Sequence, residues 1–565
     1  MSNGENNGMT TDRTPYPAHS LKANSYPFES KFLSLDMFRE LRDSKSFPAL
    51  VFVGLLVAVE SGILFAASLT RPSDITAQHG ASASRADDRT DSQRVDTFMI
   101  ENLRRMGVPG AVVAVVRDDR ILHAAGYGRG SDGSPVRSDT PMPIASLTKS
   151  FTAAAIMTLV EDGTLALDAP VLTYLPDFEL ADPRGAGITI RQLLNQSSGL
   201  APRSLPQRPA VLPGSLADQI GWLRGATLVS EPGAAFNYCN DNYNVLALII
   251  ERVSKVPFAQ FLHDRLFVPL DMEKSHLYLT TGEAMPGIAV GQLLVYGIPI
   301  VRRMQNEFMG GGGGMVSTAD DLARWLVFQN TGGRTQAGQA RLSPTSITAM
   351  HTPSVAGSRY GFGWEQESLP DGTIAIEHSG KAPPYVAHQQ LVPGGYAYAI
   401  VLNGSHSFNA EAASFIMGMH ELVAGRTPTI GPPFTFVGVS FGSIADHVVA
   451  ILTVLSLAIG VVGTVRARAW AARRATRTTW LTIVRCLPYA IVALVPAVLP
   501  WLLSVMNRGT AVPWDVIFSV WPPLPIMVAV SAAAGGAVVA LRSIHVWRLH
   551  AGGAHGSPAE REAAR

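Results

Sequence analysis

At 565 residues the chain is longer than one ordinary hydrophobic core organises, so where its apolar residues fall matters more than how many there are. A formal net charge of +1, with no basic stripe interleaved with aromatics in the middle of the chain, argues against a nucleic-acid partner. Only two cysteines occur, Cys239 in the middle and Cys486 inside an apolar tail segment, which excludes a disulfide framework.

Residues 1–46 are polar, rich in Asn, Ser and Pro, and carry no periodic pattern; they read as a cytoplasmic tail. Residues 47–69 are apolar over the ~20 residues that a spanning helix needs, and Arg39, Arg42 and Lys45 precede them. This stretch is a transmembrane anchor or a signal segment. In the second reading Met37 is the start and residues 47–59 are the apolar core, with Glu60 ending it. Both readings export the middle of the chain.

Residues 95–426 alternate short strand-like runs with helical ones. Residues 111–116 and 121–125 flank an Asp118-Asp119 turn, and residues 388–392 and 397–402 flank Pro393-Gly394-Gly395, giving a hairpin near each end. Hairpins around a helical middle predict an α+β fold: an antiparallel sheet flanked by helices, with an inserted helical subdomain. Near Ser146 a helix begins whose Leu147, Phe151, Ala155 and Leu159 recur every four residues, and Gly163 ends it. Ser146 and Lys149 share one face of it, close enough to share a proton. Burial at a helix amino terminus disfavours an ammonium and suits Lys149 to act as a neutral base for a serine nucleophile. The chain has only seven lysines, and Lys149 alone has a serine three residues before it.

Glu231-Pro232-Gly233 forms a turn, and Tyr238-Cys239-Asn240 precedes a helix with Tyr243, Leu246, Ile250 and Val253 on one stripe. Asn240 is either a helix cap or a site residue; a cap leaves Tyr238 unexplained. The run Gly310 to Gly314, followed by the capping sequence Ser317-Thr318-Ala319-Asp320-Asp321, reads as an ordered scaffold loop. Ile376-Glu377-His378-Ser379-Gly380 reads as a strand edge where Gly380 admits a substrate backbone.

Three further spanning candidates occupy residues 446–465, 480–506 and 516–541. Arg466, Arg468, Arg473, Arg474 and Arg477 mark the loop between the first two as cytoplasmic, and residues 507–515 carry little charge and lie outside. Arg542 and Arg548 return residues 542–565 to the cytoplasm. This topology leaves the middle domain extracytoplasmic, in agreement with its export by residues 47–69.

Three elements, Ser146-Leu147-Thr148-Lys149, Tyr238-Cys239-Asn240 and His378-Ser379-Gly380, occur in this order at wide spacing. With them the sequence resembles the serine β-lactamase and penicillin-binding protein superfamily, in the branch that holds class C β-lactamases, serine DD-peptidases and related esterases. Secondary features point the same way: Thr189-Ile190-Arg191-Gln192-Leu193-Leu194 leading to Ser197-Ser198-Gly199-Leu200, and Tyr360-Gly361-Phe362-Gly363-Trp364. The resemblance implies an acyl-enzyme on Ser146, with Lys149 and Tyr238 sharing proton transfer and Asn240 holding them. It further implies a substrate and oxyanion strand of Ser379, Gly380 and Lys381, with His378 orienting the substrate. No cofactor and no metal are implied, and the partners are the membrane and a small-molecule or peptidoglycan-type substrate. His378 stands where many β-lactamases have lysine, and a mostly neutral imidazole is a weaker anchor for a carboxylate. The expectation is therefore a hydrolase of cell-wall D-Ala peptides or related amides and esters, with a β-lactamase, an esterase or a non-turning-over penicillin-binding sensor as alternatives. A rival motif, Gly438-Val439-Ser440-Phe441-Gly442, matches a nucleophile elbow but is followed by membrane segments.

Overall fold

The computed structural model describes residues 75–554 except 83–85, 207–210, 284, 305–306, 370–371, 407–409, 432–434, 437–438, 474–478 and 507–511, with isolated positions between 56 and 69. Most of the apolar stretch at 47–69 and the tail at 1–46 lie outside the described residues, as does the carboxyl tail beyond 554.

Seven antiparallel strands make the main sheet: β1 (Ala77–Ser82), β2 (Gly110–Arg117), β3 (Arg120–Gly128), β4 (Glu365–Ser368), β5 (Ile374–Ala382), β6 (Tyr385–Val392) and β7 (Tyr396–Leu402), in the order β1-β3-β2-β7-β6-β5-β4. Both hairpins expected from the sequence form, and Asp118 takes a positive φ of 54° in the first turn. The inner strand β2 is buried on both faces because each carries its own helical layer. Val112, Ala114 and Val116 join one core and Val113 and Val115 the other. The first core holds α2 (Thr148–Glu161), α3 (Asn240–Ser254) and α4 (Ala319–Asn330); the second holds α1 (Ala86–Met106) and α5 (Ala410–Val423). The fold is thus α+β with an inserted helical region between the hairpins.

Two elements begin ahead of the expected boundary at residue 95. Strand β1 extends the sheet edge by pairing with β3, and α1 begins at Ala86. The sequence of β1, Ala-Gln-His-Gly-Ala-Ser, has no β-branched residue and no Phe, Tyr or Trp, so its strand character comes from the partner edge rather than from propensity.

Helix α2 is tied to the sheet through Phe151, stacked on Trp325 at 3.8 Å between centroids, and through Trp325 Nε1, which donates to Gln389 Oε1 at 3.2 Å. Gln389 Nε2 in turn donates to Ser150 Oγ at 3.1 Å. This chain of contacts fixes the amino-terminal turn of α2 over β6.

Among the described residues, three helices are long and apolar enough to cross a membrane: Ile444–Val465, Ile483–Met506 and Pro523–Ala551. They lie within α6 (Phe441–Val465), α7 (Thr479–Met506) and α8 (Pro523–Ala554). The third is shifted from the expected 516–541. A separate short helix covers Trp514–Val520, and α8 starts at Pro523 because Pro522-Pro523 disfavours helix in the residues before them and suits a first helical position. Arg542, expected to begin the cytoplasmic tail, lies inside α8 with its guanidinium over the rings of Trp470 and Tyr489, 4.5 and 4.6 Å from the centroids. The rival elbow does not sit on the main sheet: Val439–Ser440 pairs only with Thr435–Phe436 before α6 begins, and Gly438 lies outside the described residues.

Asp446, fully buried in the first turns of α6, joins these candidate spanning helices to the domain. Its carboxylate accepts from Tyr296 N at 2.6 Å and Trp521 Nε1 at 2.8 Å, and His406 Nε2 stands 3.2 Å away. Replacing it by alanine removes the acceptor of two half-buried donors, at about 1–3 kcal/mol each as an upper range. The full chain in detergent is expected to melt at lower temperature as Asp446→Ala, with only part of the loss restored in Asp446→Asn, whose single amide oxygen can accept from one of the two donors.

Candidate active site

Ser146 lies in a tight turn, Ala145–Leu147, that leads directly into α2. Ala145 has a φ of 48°, a left-handed conformation that a Cβ-bearing residue rarely adopts and that costs about 1–3 kcal/mol. The surroundings hold it there. Thr148 Oγ1 donates to Ala145 O at 2.6 Å, Met315 N donates to Thr148 Oγ1 at 3.0 Å, and Ile144 N donates to Met315 O at 3.0 Å.

Lys149 is entirely buried. Its Nζ lies 2.8 Å from Asn240 Oδ1, 2.5 Å from Gly312 O and 3.1 Å from Ser146 Oγ. Burial lowers its pKa to about 7, with the neighbouring Cys239 and Asp241 partly opposing the shift. A neutral amine has two N–H donors and one lone pair. The amide oxygen and the carbonyl can only accept, so they take the two donors, and the lone pair is left for the Ser146 hydroxyl. The arrangement suits removal of a proton from Ser146.

Tyr238 covers the other side of the serine. Its hydroxyl is hydrogen-bonded to Ser146, and its ring lies 4.8 Å from Lys149 Nζ. Burial, the largest influence, raises the phenol well above its ordinary range, so it keeps its proton at neutral pH. The loop that carries it is held by Gln196, itself at a positive φ of 61°. Gln196 Oε1 accepts from Cys239 N at 3.0 Å and Asn242 Nδ2 at 2.6 Å, and Gln196 O accepts from Asn237 N at 2.7 Å. Cys239 occupies the cap position of α3 with its side chain buried in the core, and Asn240 is the first helical residue. Asn240 therefore serves Lys149 and does not cap the helix.

His378 on β5 faces this cluster, with its ring centroid 6.3 Å from that of Tyr238. Its Nδ1 lies 2.8 Å from the carbonyl of Ser379, which can only accept, so Nδ1 carries the proton. Its Nε2 then accepts from Tyr360 Oη at 2.9 Å. Burial first, and then the Lys149 charge, depress its pKa to about 3. Both nitrogens are committed within the protein, so the imidazole offers a ligand neither charge nor a donor.

The strand residues divide by side. Gly380 lies against the nucleophile turn, where an added Cβ would stand 3.1 Å from Ser146 N. Ser379 directs its side chain away from the serine, to His388 Nδ1 at 2.9 Å, so only its backbone belongs to this cluster. Lys381 comes next at the exposed edge, where burial of part of its side chain lowers its pKa.

Three participants carry only scaffold signals in the sequence. The glycine run forms one helical turn, Gly310–Gly313, against α3; a Cβ on Gly312 would meet Asn240 O at 3.0 Å, and its carbonyl is the second acceptor of Lys149. Tyr360 fixes His378. Gly363, at a φ of 75°, packs on the α2 backbone, where a Cβ would fall 2.6 Å from Lys149 O. Glycines and an aromatic in short motifs are the available signal; which carbonyl meets the lysine is not readable from them.

A family model described as Beta-lactamase matches residues 93–417. The chain belongs to the β-lactamase family. This β-lactamase-family chain is 32% identical to Protein flp of Staphylococcus aureus (strain MW2) over 243 residues, 42% of its own length and 48% of that protein's. It is 27% identical to Penicillin-binding protein 4* of Bacillus subtilis (strain 168) over 297 residues, 49% of its length and 63% of the relative's. It thus spans about half to two thirds of these curated relatives. Among solved structures, the octameric penicillin-binding protein homologue from Pyrococcus abyssi matches with a TM-score of 0.51 and 26% identity, covering 60% of this chain and 79% of that one.

Gly363→Ala tests whether the turn after Tyr360 sets the lysine's position. Backbone strain of about 1–3 kcal/mol plus a clash on the α2 backbone should lower the melting temperature, read by thermal unfolding of the full chain. Gly372→Ala, at a φ of 82° with open space around it, shares the strain without the clash and should cost less.

Proposed function

We propose that the chain is a membrane-anchored, extracytoplasmic serine hydrolase that forms an acyl-enzyme on Ser146, acting on D-alanyl peptides or on amides and esters of related shape. The lone pair of buried Lys149, aimed at Ser146 Oγ with both N–H donors already taken, carries this reading. The arginines between α6 and α7 support the orientation, since they put that loop in the cytoplasm and the Asp446 end of α6 outside, on the side of the domain.

In the proposed first step the Ser146 oxygen attacks the substrate carbonyl while its proton passes to Lys149 Nζ. The backbone N–H groups of Ser146 and Lys381 receive the developing oxyanion, and losing one such donor typically costs about 10²–10³ in rate. Tyr238 gives its proton to the departing amine or alkoxide and regains one from Lys149. Water then releases the acyl group by the reverse proton path.

The committed imidazole of His378 favours substrates whose recognition does not require a cation at that position, and so esters and amides over penicillins as turned-over substrates. A D-alanyl-D-alanine peptide compared with its carboxyl methyl ester tests this; higher kcat/KM for the ester supports it, and strong preference for the free carboxylate opposes it.

Ser146→Ala should abolish covalent labelling by a fluorescent penicillin and by an activated ester. Labelling that persists would remove Ser146 as nucleophile. Lys149→Met should slow acylation by about 10²–10⁴, the usual worth of a positioned base. The acylation rate should rise with pH through about 7, because the neutral amine is the active form and a proton on it occupies the lone pair. No second limb should arise from His378, which stays neutral down to about 3; a limb near pH 6 that vanishes in His378→Asn would contradict the assigned tautomer.

A further inference from the structure

The opposite face of the sheet holds a second polar cluster. His79 on β1, Asp96 on α1 and His123 on β3 point their ligating atoms at one another, all within 4.8 Å. We propose that these three side chains bind a divalent transition-metal ion of the zinc type, which clamps strand β1 to β3 and α1.

Separations support it. His79 Nε2 is 3.3 Å from Asp96 Oδ2, and His123 Nε2 is 3.8 Å from Asp96 Oδ1. Ligands about 2.0–2.1 Å from a tetrahedral zinc stand roughly 3.3 Å apart, so small side-chain adjustments bring all three into range. Two imidazoles and a carboxylate suit zinc, cobalt or nickel and not the all-oxygen shells of calcium or magnesium. Three protein ligands leave a fourth position for water. His79 is 41% and Asp96 21% exposed, which gives an ion a path in, while His123 at 1% is fixed inside.

The surroundings supply the supports that metal-bound histidines use. Ser92 Oγ lies 2.7 Å from His123 Nδ1, so it can accept that N–H and leave the Nε2 lone pair toward the cluster. Tyr127 Oη donates to Asp96 Oδ1 at 2.9 Å, which orients the carboxylate with Oδ2 toward His79. The Tyr127 oxygen is also 2.6 Å from His123 Nε2. In the tautomer set by Ser92 two lone pairs face each other there, a repulsion that an ion relieves; without one, the other tautomer satisfies the same atoms. Sequence spacing does not reveal this site, because the ligands come from three elements and meet only when β1 pairs with β3.

The full chain in detergent, stripped with a chelator and titrated with cobalt(II), is the test. Visible d–d absorption saturating at one ion per chain is expected, lost in His79→Ala and in Asp96→Asn, with affinity about 10–100-fold weaker in Ser92→Ala. Zinc should raise the melting temperature of the parent chain and leave that of His79→Ala unmoved. Ester acylation at Ser146 should proceed equally in chelator, since the ion sits behind the sheet. Absence of the cobalt spectrum, or equal binding in both ligand variants, overturns the proposal.

Discussion

The cost of burying an ammonium organises this molecule. Lys149 has no exposed surface, and the two fixed acceptors beside its nitrogen are a neutral amide and a backbone carbonyl, with Asp241 near enough only to moderate the shift. Those acceptors come from separate parts of the chain, Asn240 opening α3 and Gly312 in the glycine turn. Each must approach within hydrogen-bonding distance of a helix that is itself pinned to the sheet through Phe151, Trp325 and Gln389. The inserted helical region therefore does more than cover the sheet. It buries the amine, which lowers its pKa to about 7, and brings the two oxygens that take its N–H donors; without them the amine would need solvent or an acid partner.

Much of this was legible. The order and spacing of Ser146-Lys149, Tyr238-Asn240 and His378-Gly380 pointed to one shared cluster, and the fold brings these residues together; the two hairpins were marked by their turn residues. Less legible were features that depend on backbone atoms or on partners. The carbonyl of Gly312 has no side-chain signature. The tautomer of His378 is set by the carbonyl of Ser379, and the side chain of Ser379 turns away because strand residues alternate. Strand β1 has the wrong composition for a strand and exists by pairing. The third candidate spanning helix begins late because Pro522 and Pro523 break a largely apolar run, a signal that hydropathy averages away.

The sheet divides the molecule's labour. One face carries the serine cluster; the other carries α1, α5 and the His79, Asp96 and His123 group, close to where the chain enters the domain. The domain is joined to the candidate spanning helices through Asp446, whose carboxylate gathers the backbone amide of Tyr296, in the turn between paired strands Gln292–Val295 and Ile298–Val301, and the indole of Trp521 just before α8. An acid placed at that end of an apolar helix needs such partners, and the domain provides them.

The most direct test of the central claim is the titration of Lys149 itself, followed by NMR of lysine ε-methylene carbons in the full chain, where only seven lysines contribute. A resonance that titrates near about 7 and disappears in Lys149→Met would match a buried neutral amine. If the resonance lost in Lys149→Met titrates instead near the ordinary lysine value of 10.5, the lysine is an ammonium at neutral pH and cannot serve as the base for Ser146.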